Sequence, residues 1–188
     1  MTNTKFKIGF FAIALSASLG FVASPLETAQ AQSLIEDTSY ITADSDLTLE
    51  DELAIYQTIA RLNHAIDAAD YESYASFFAE DAVFATAFGD AIGPEQIIAS
   101  LELSRPFITN KRHVASNIVI NGRGDRAVVT SYLTVFERAE SLTLVGTAIN
   151  VDTLERRDGE WVVVRHETEL DPATLQLMES MMQSQSSQ

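Results

Sequence analysis

The spacing of apolar and polar positions divides the chain into a helical first half and a strand-rich second half. From about Leu49 to Ala68, the residues Ile55, Ile59, Leu62 and Ile66 recur at three- and four-residue intervals, the period of a helix with one buried face. Thr48 is placed to cap that helix, and Glu50, Asp51 and Glu52 fall in its first turn, where the macrodipole favours negative charge. A neighbouring stripe, Leu53, Tyr56, Ala60, Asn63 and Asp67, brings polar groups beside the buried face toward the end of the helix. Asp70 offers a cap for a short helix from Tyr71 to Ala79. Val83 to Phe88 then reads as a strand and Gly89 to Gly93 as a turn. Pro94 opens a third helix through about Ser104, since its missing N–H is not needed there, and Pro106 closes the region. Four strand-like runs follow: His113 to Ile120, Ala127 to Glu137, Leu142 to Glu155 and Trp161 to Glu169. The connections from Asn121 to Asp125 and from Arg156 to Gly159 carry the Gly, Asn and Asp that hairpins use at positive φ. Helices first and an antiparallel meander afterwards predict an α+β domain.

The flanks change the picture of where the domain begins and ends. Lys5 and Lys7 precede an uncharged run from Ile8 to Ala23, and Ala29-Gln30-Ala31 supplies small residues for cleavage, the layout of a secretory signal peptide. Residues 1–31 are therefore expected to be removed, with a retained membrane anchor as the competing reading. A periplasmic or secreted destination follows. Residues 32–47, rich in Ser, Thr and Asp, read as a flexible leader, and 48–171 as the domain. In 172–188 Met and Leu are diluted by Gln and Ser, which reads as a polar, disordered tail.

Composition narrows the classes. A chain of 188 residues with 46% apolar content can cover one core. With 12 Lys+Arg against 27 Asp+Glu, the net charge of −15 disfavours nucleic acid and anionic membranes, whose affinity comes from cationic side chains. Cysteine is absent, which excludes disulfides, thiolate zinc sites and a cysteine nucleophile. The three histidines have no close metal spacing, the acidic stretch Asp44 to Glu52 lacks a calcium-loop register, and no metal or cofactor is expected. Arg123-Gly124-Asp125 reads as a hairpin turn and not as a recognition tripeptide.

Several short motifs now stand in order. A helix ends in Ala65-Ile66-Asp67-Ala68-Ala69-Asp70-Tyr71, followed by Phe78-Ala79-Glu80-Asp81-Ala82-Val83. Gly93 then opens a helix, Arg112-His113 leads a strand, and Gly146 and Asp152 precede Asp158-Gly159-Glu160-Trp161. In that order the chain, from Leu49 to Asp171, resembles the SnoaL-like branch of the nuclear-transport-factor-2 (NTF2)-like superfamily. The resemblance implies a cone-shaped α+β barrel, with helices packed in a strongly bent antiparallel sheet around a cavity open at one end. Its members include dehydratases, isomerases, cyclases and ligand-binding modules, so the fold alone supplies no chemistry.

The resemblance implies that Asp67 and His113 face one another in the cavity as an acid/base pair, a carboxylate fixing the imidazole tautomer for proton transfer beside a carbonyl. As bare residues, Asp67 also reads as a helix-end cap and His113 as a strand-edge histidine. Two departures stand out: Leu62 occupies a position where relatives often have tyrosine, and no counterpart of a mid-strand acid or histidine lies near Phe136. Tyr56, His64, Tyr132 and Arg165 are the candidates for holding substrate, with Tyr74 as a further phenol. Arg165 and His166 are strand neighbours and must point to opposite faces, so only one of them enters the cavity. The expected function is an exported protein with an apolar pocket for a small organic molecule, possessing cofactor-free dehydratase, isomerase or cyclase chemistry. The alternative is a non-catalytic ligand-binding or dimerisation module of the same fold, and a homodimer is expected in either case.

Overall fold

A computed structural model describes residues 38–86, 89–139 and 141–185. The expected signal peptide, and residues 32–37 of the leader, lie outside the described residues. The first long helix, α1 (Leu49–Asp67), starts on a reciprocal cap: Asp51 N–H donates to Thr48 Oγ1 at 3.2 Å while Thr48 N–H donates to the Asp51 carboxylate at 3.3 Å. It ends on paired bonds from Ala69 N–H to Ile66 O and from Asp70 N–H to Ala65 O, with Ala69 at φ 55° in the position glycine usually takes. Asp70 caps α2 (Tyr71–Ala75) through Ser73 N–H at 3.0 Å. Strand β1 (Phe78–Thr86) then begins where a longer second helix was expected, because Phe77 O and Phe78 already pair with Val163 on the far strand.

The expected turn at Gly89 is instead a strand, β2 (Gly89–Ile92), paired antiparallel with β1. Helix α3 (Gly93–Ile108) runs a turn past its expected end, with Pro106 inside it. Gly93 opens it at φ 77°, and a Cβ there would sit 2.6 Å from Glu80 O, so glycine is required by both backbone and space. Strands β3 (Lys111–Arg123), β4 (Arg126–Glu137), β5 (Thr143–Arg157) and β6 (Glu160–Leu170) form the meander. The six-stranded sheet has the order β2-β1-β6-β5-β4-β3, with β1 and β6 parallel and the other pairs antiparallel.

Register slips bend this sheet. One extra residue enters β3 between Ser116 and Val119, where Asn117 takes φ 50°, one enters β5 at Val145, and one enters β6 at Val164. Helix α1 lies in the resulting curve against β3 and β6, and α3 packs on β1 and β2. Ile55, Ile59, Ile97, Leu101, Val129, Leu154 and Val163 are buried between them as the main core. At one end of the barrel Asp51 also takes Arg156 Nη2 at 2.6 Å and Trp161 Nε1 at 3.2 Å, and the Arg156 guanidinium stacks over the indole at 4.6 Å. These bonds hold the Asp51 carboxyl well below the usual carboxylate range, the Arg156 bond most of all.

Both flanks are more ordered than their composition suggests. Ser39–Thr42 forms a single 3₁₀ turn, and the leader runs along β3 through Asn121 Nδ2 to Tyr40 O at 2.7 Å and Asp46 N–H to Gly122 O at 3.1 Å. Leu47 packs on the core, so the described part of the leader, expected to be free of the domain, is docked along it. The expected disordered tail is corrected likewise: α4 (Pro172–Gln185) is helical. It is anchored by Thr147 N–H to Thr174 Oγ1 at 2.9 Å, by Thr147 Oγ1 to Asp171 at 2.5 Å, and by Leu175 against Leu133, Val135, Ala148 and Leu170. Gly146 lets α4 approach, since a Cβ there would meet Thr174 Cγ2 at 2.5 Å. Among the described residues no helix is long and apolar enough to cross a membrane.

Candidate functional site

Two cavities meet inside the cone. The inner chamber, about 40 Å³, is lined by apolar side chains such as Leu62, Ile66, Phe84 and Leu133, and by the polar side chains of Asn63, Tyr74, Ser104, His113, Asn150, Asp152 and His166. An outer groove of about 200 Å³ lies between α1 and β3, with Tyr56, Asn63, His64, Asp67, Arg112 and His113 along it. Ile59, Asn63 and His113 line both, so His113 stands in the shared wall. An apolar cavity of roughly 150 Å³ holds a benzene, whereas a water needs only about 10–15 Å³. By that measure the groove has room for one ring, and the chamber for waters or a single functional group.

Asp67 and His113 come together from elements 46 residues apart. The paired bonds that close α1 set Asp67 in the last helical turn, facing the first residues of β3. Its Oδ1 lies 2.8 Å from His113 Nδ1 and also accepts the His113 backbone N–H at 2.9 Å. Oδ2 forms an ion pair with Arg112 Nε at 3.2 Å. Both partners of the pair are nearly sealed, the His113 side chain 4% and the Asp67 side chain 8% exposed. A carboxylate at Nδ1 holds a hydrogen on that nitrogen, which assigns exchange with a substrate to Nε2.

The remaining expected residues separate. Tyr56, 48% exposed, and His64 stand on the groove and outside the chamber. His64 does not meet Asp67 across the helical turn, because that carboxylate is turned to His113 and Arg112. Tyr74 lines the chamber, and burial, reinforced by the Asp152 charge, pushes its phenol well above the ordinary value, so it presents a neutral O–H. Tyr132 and Arg165 are corrections, since neither lines the chamber or the groove. Tyr132 lies between the buried Ser131 and Leu133 on β4, so alternation turns it to the outer face, near Tyr40. Arg165 points away from the chamber and donates to Glu167 at 2.9 Å.

His166 takes the inward place instead. Its Nδ1 lies 2.6 Å from Asp152 Oδ1, its Nε2 lies 3.2 Å from Thr168 Oγ1, and Thr168 Oγ1 donates to Asn150 Oδ1 at 2.8 Å. The ring stacks on Phe84 with centroids 5.0 Å apart. Sequence reasoning missed this cluster, although it left a signal: Asn150 and Asp152 alternate on one strand, as His166 and Thr168 do on the next. Ser104 was missed too; its hydroxyl is buried on the chamber with no protein partner among the described residues. Among the described residues no cluster of three or more His, Asp or Glu is arranged to hold a metal.

A bent sheet closed by helices around a cavity lined with paired acids and bases defines an NTF2-like α+β cone. The chain belongs to the SnoaL-like domain family, whose model matches residues 47–167. Among solved structures it is similar to a protein of unknown function with a cystatin-like fold from Nostoc punctiforme, at 34% identity and TM-score 0.64, over 68% of this chain and 96% of that one. An NTF2-like protein from Novosphingobium aromaticivorans matches at 26% identity and TM-score 0.61, over 69% and 89% of the two chains. A protein from Catenulispora acidiphila, solved in complex with S-DNPA, matches at 28% identity and TM-score 0.59, over 66% and 96%. No curated protein matches the chain.

Proposed function

We propose that this protein binds a small carbonyl-bearing organic molecule of about one ring and acts on it by cofactor-free acid/base chemistry of the dehydratase, isomerase or cyclase kind. One observation carries the reading: the Asp67–His113 pair, 2.8 Å apart, sits where groove and chamber share a wall. A ring in the groove would present its functional group past His113 into the chamber. His113 then takes a proton from the carbon beside the carbonyl or returns one to a leaving hydroxyl, with Asp67 stabilising the imidazolium that forms. Tyr56 and His64 are in place to contact the ring from the rim. The ligand complex of the Catenulispora relative supports small-molecule binding in this family.

Export to the periplasm or medium belongs to the same proposal and rests on the amino-terminal sequence from Lys5 to Ala31. A homodimer is proposed through the start of β5, where Leu144 is 54% exposed and Leu142, just before the strand, 84%; light scattering on the purified protein tests it. The catalytic reading is tested by a thermal-shift screen against small cyclic ketones and hydroxy acids, with His113→Gln in parallel. A ligand at a hundred times its Kd stabilises by about 2.7 kcal/mol. Hits that weaken in the variant and turn over only in the parent protein are expected. Turnover unchanged in both His113→Gln and Asp67→Asn would leave a non-catalytic binding module.

A further inference from the structure

The chamber contains a second histidine whose hydrogen bonds can be counted. Asn150 Oδ1 accepts the hydroxyl hydrogen of Thr168, so Thr168 Oγ1 has only a lone pair to offer His166 Nε2 at 3.2 Å. Nε2 must then carry a hydrogen. On the other side of the ring Nδ1 meets the Asp152 carboxylate at 2.6 Å, the short separation of a charge-assisted bond. Imidazole is the stronger base of the two, so that hydrogen rests on nitrogen. A hydrogen on each nitrogen makes the ring an imidazolium. Its surroundings suit a cation: the Asp152 side chain is 3% exposed and opposite it in register, the Phe84 ring lies against its face, and the other titratable groups lining the chamber are Tyr74 and His113. Burying such a network stabilises a fold less than packed apolar residues would, which makes a functional role the better account of it.

We propose that His166 is the resident acid of this site, a second catalytic residue that gives its Nε2 proton to the oxygen of a carbonyl substrate while His113 takes a proton from the adjacent carbon. The inference rests on the carbonyl-binding reading above and adds the division of labour. The electron pair of the broken C–H bond becomes the C=C bond of an enol, and the carbonyl oxygen receives the His166 proton. Return of the His113 proton to the α-carbon, or to the far end of a C=C bond conjugated with the enol where the substrate has one, and of the enol proton to His166 restores both histidines. Thr168 Oγ1, at 3.2 Å, is a long acceptor for the Nε2 hydrogen, and a substrate oxygen reaching His166 from the chamber would share it. The substrate class is a carbonyl compound with a mobile α-hydrogen, its oxygen directed into the chamber. The two histidines do opposite work because their partners differ: His166 is gripped at both nitrogens by groups that accept, and the Asp67 carboxylate holds a hydrogen on His113 at Nδ1.

The test uses the full chain labelled with ¹⁵N-histidine. Long-range ¹H–¹⁵N spectra at pH 7, assigned with His64→Gln and His113→Gln, are expected to show both His166 nitrogens at protonated positions. A pyridine-type shift for either nitrogen overturns the proposal whatever any ligand does. The acid role is read separately with 4-nitrophenol, whose phenolate mimics an enolate oxygen. Bound to the parent protein, its ratio of phenolate to neutral phenol should rise about tenfold over free probe at the same pH, the size of effect one charged donor brings, and His166→Gln should abolish the rise. Probe bound as the neutral phenol beside a doubly protonated His166 overturns the acid role. No probe binding at all, with the protonated signature present, counts against the small-molecule reading and leaves the protonation of His166 established.

Discussion

The two histidine–aspartate pairs of this domain are built by different means. Asp67 reaches His113 from the end of a helix to the start of a strand, and the contact depends on the backbone turn that closes α1 and on the seating of α1 against β3. Asp152 and His166 are cross-strand partners in register, on the two strands joined by the hairpin at Asp158-Gly159. The first pair borders the groove and is tied to an Arg112 side chain that is half exposed; the second lines the inner chamber only, beside Phe84, Tyr74 and Asn150. A pair at the junction meets whatever enters the groove, whereas the chamber pair meets only a group that reaches past His113, in a low dielectric where Coulomb interactions are strongest. The same two residue types are thereby suited to different tasks.

That contrast can be broken by substitution. For a carbonyl compound that binds, His113→Gln is expected to lower turnover by about 10²–10⁴-fold, measured as the single-turnover rate; a change under threefold would remove His113 from the chemistry. Removing the enclosed acid should tell most on stability. Asp152→Ala leaves a buried cation without its partner, at a cost of about 3–5 kcal/mol in urea unfolding. Asp67→Ala should cost less, about 1–3 kcal/mol, because it orphans the His113 backbone N–H and ring N–H while Arg112 turns to solvent. If the two costs come out equal or reversed, the enclosed and junction pairs are not electrostatically distinct.

Two smaller effects supply controls outside the chamber. Thr48→Ala removes the helix cap and should cost about 1 kcal/mol without altering ligand binding, which a thermal shift with and without ligand would show. Asp51 gives a pH-dependent counterpart. Its carboxyl is depressed in the folded protein, chiefly by Arg156 and Thr48, so its stabilisation is fully present above the unfolded carboxylate value of about 4 and is lost as pH falls below it. The difference in Tm between the parent and Asp51→Asn should therefore hold from pH 6 to about pH 5 and shrink from there to pH 3. A difference that stays constant across that range would mean that Asp51 acts by shape and not by charge.

Most of the architecture was legible along the chain. The helical period of Ile55, Ile59 and Leu62, the cap at Thr48 and the four strand runs place α1 and the meander within a few residues of their observed bounds. The Asp67–His113 contact followed from a family resemblance and not from spacing, because nothing local relates two residues 46 positions apart. The flanks misled: composition makes residues 172–185 look like tail, yet Thr174 and Leu175 find partners on β5 and in the small cluster around Leu133 that no local pattern announces.

Which of Arg165 and His166 enters the chamber shows where local reasoning stops. Leu154 pairs with Val163, and alternation from that pair would carry Arg165 inward, opposite Asp152. Val164 is one residue too many on β6, so beyond it Thr153 faces Arg165 and Asp152 faces His166. A single-residue slip turns every later side chain of the strand to the other face. Hydrophobic period, caps and turn residues act over a few positions, and the chain carries them in plain view. The bulge that puts an imidazole in the chamber and an arginine outside is a property of the whole sheet closing around α1, settled only when the strands pair.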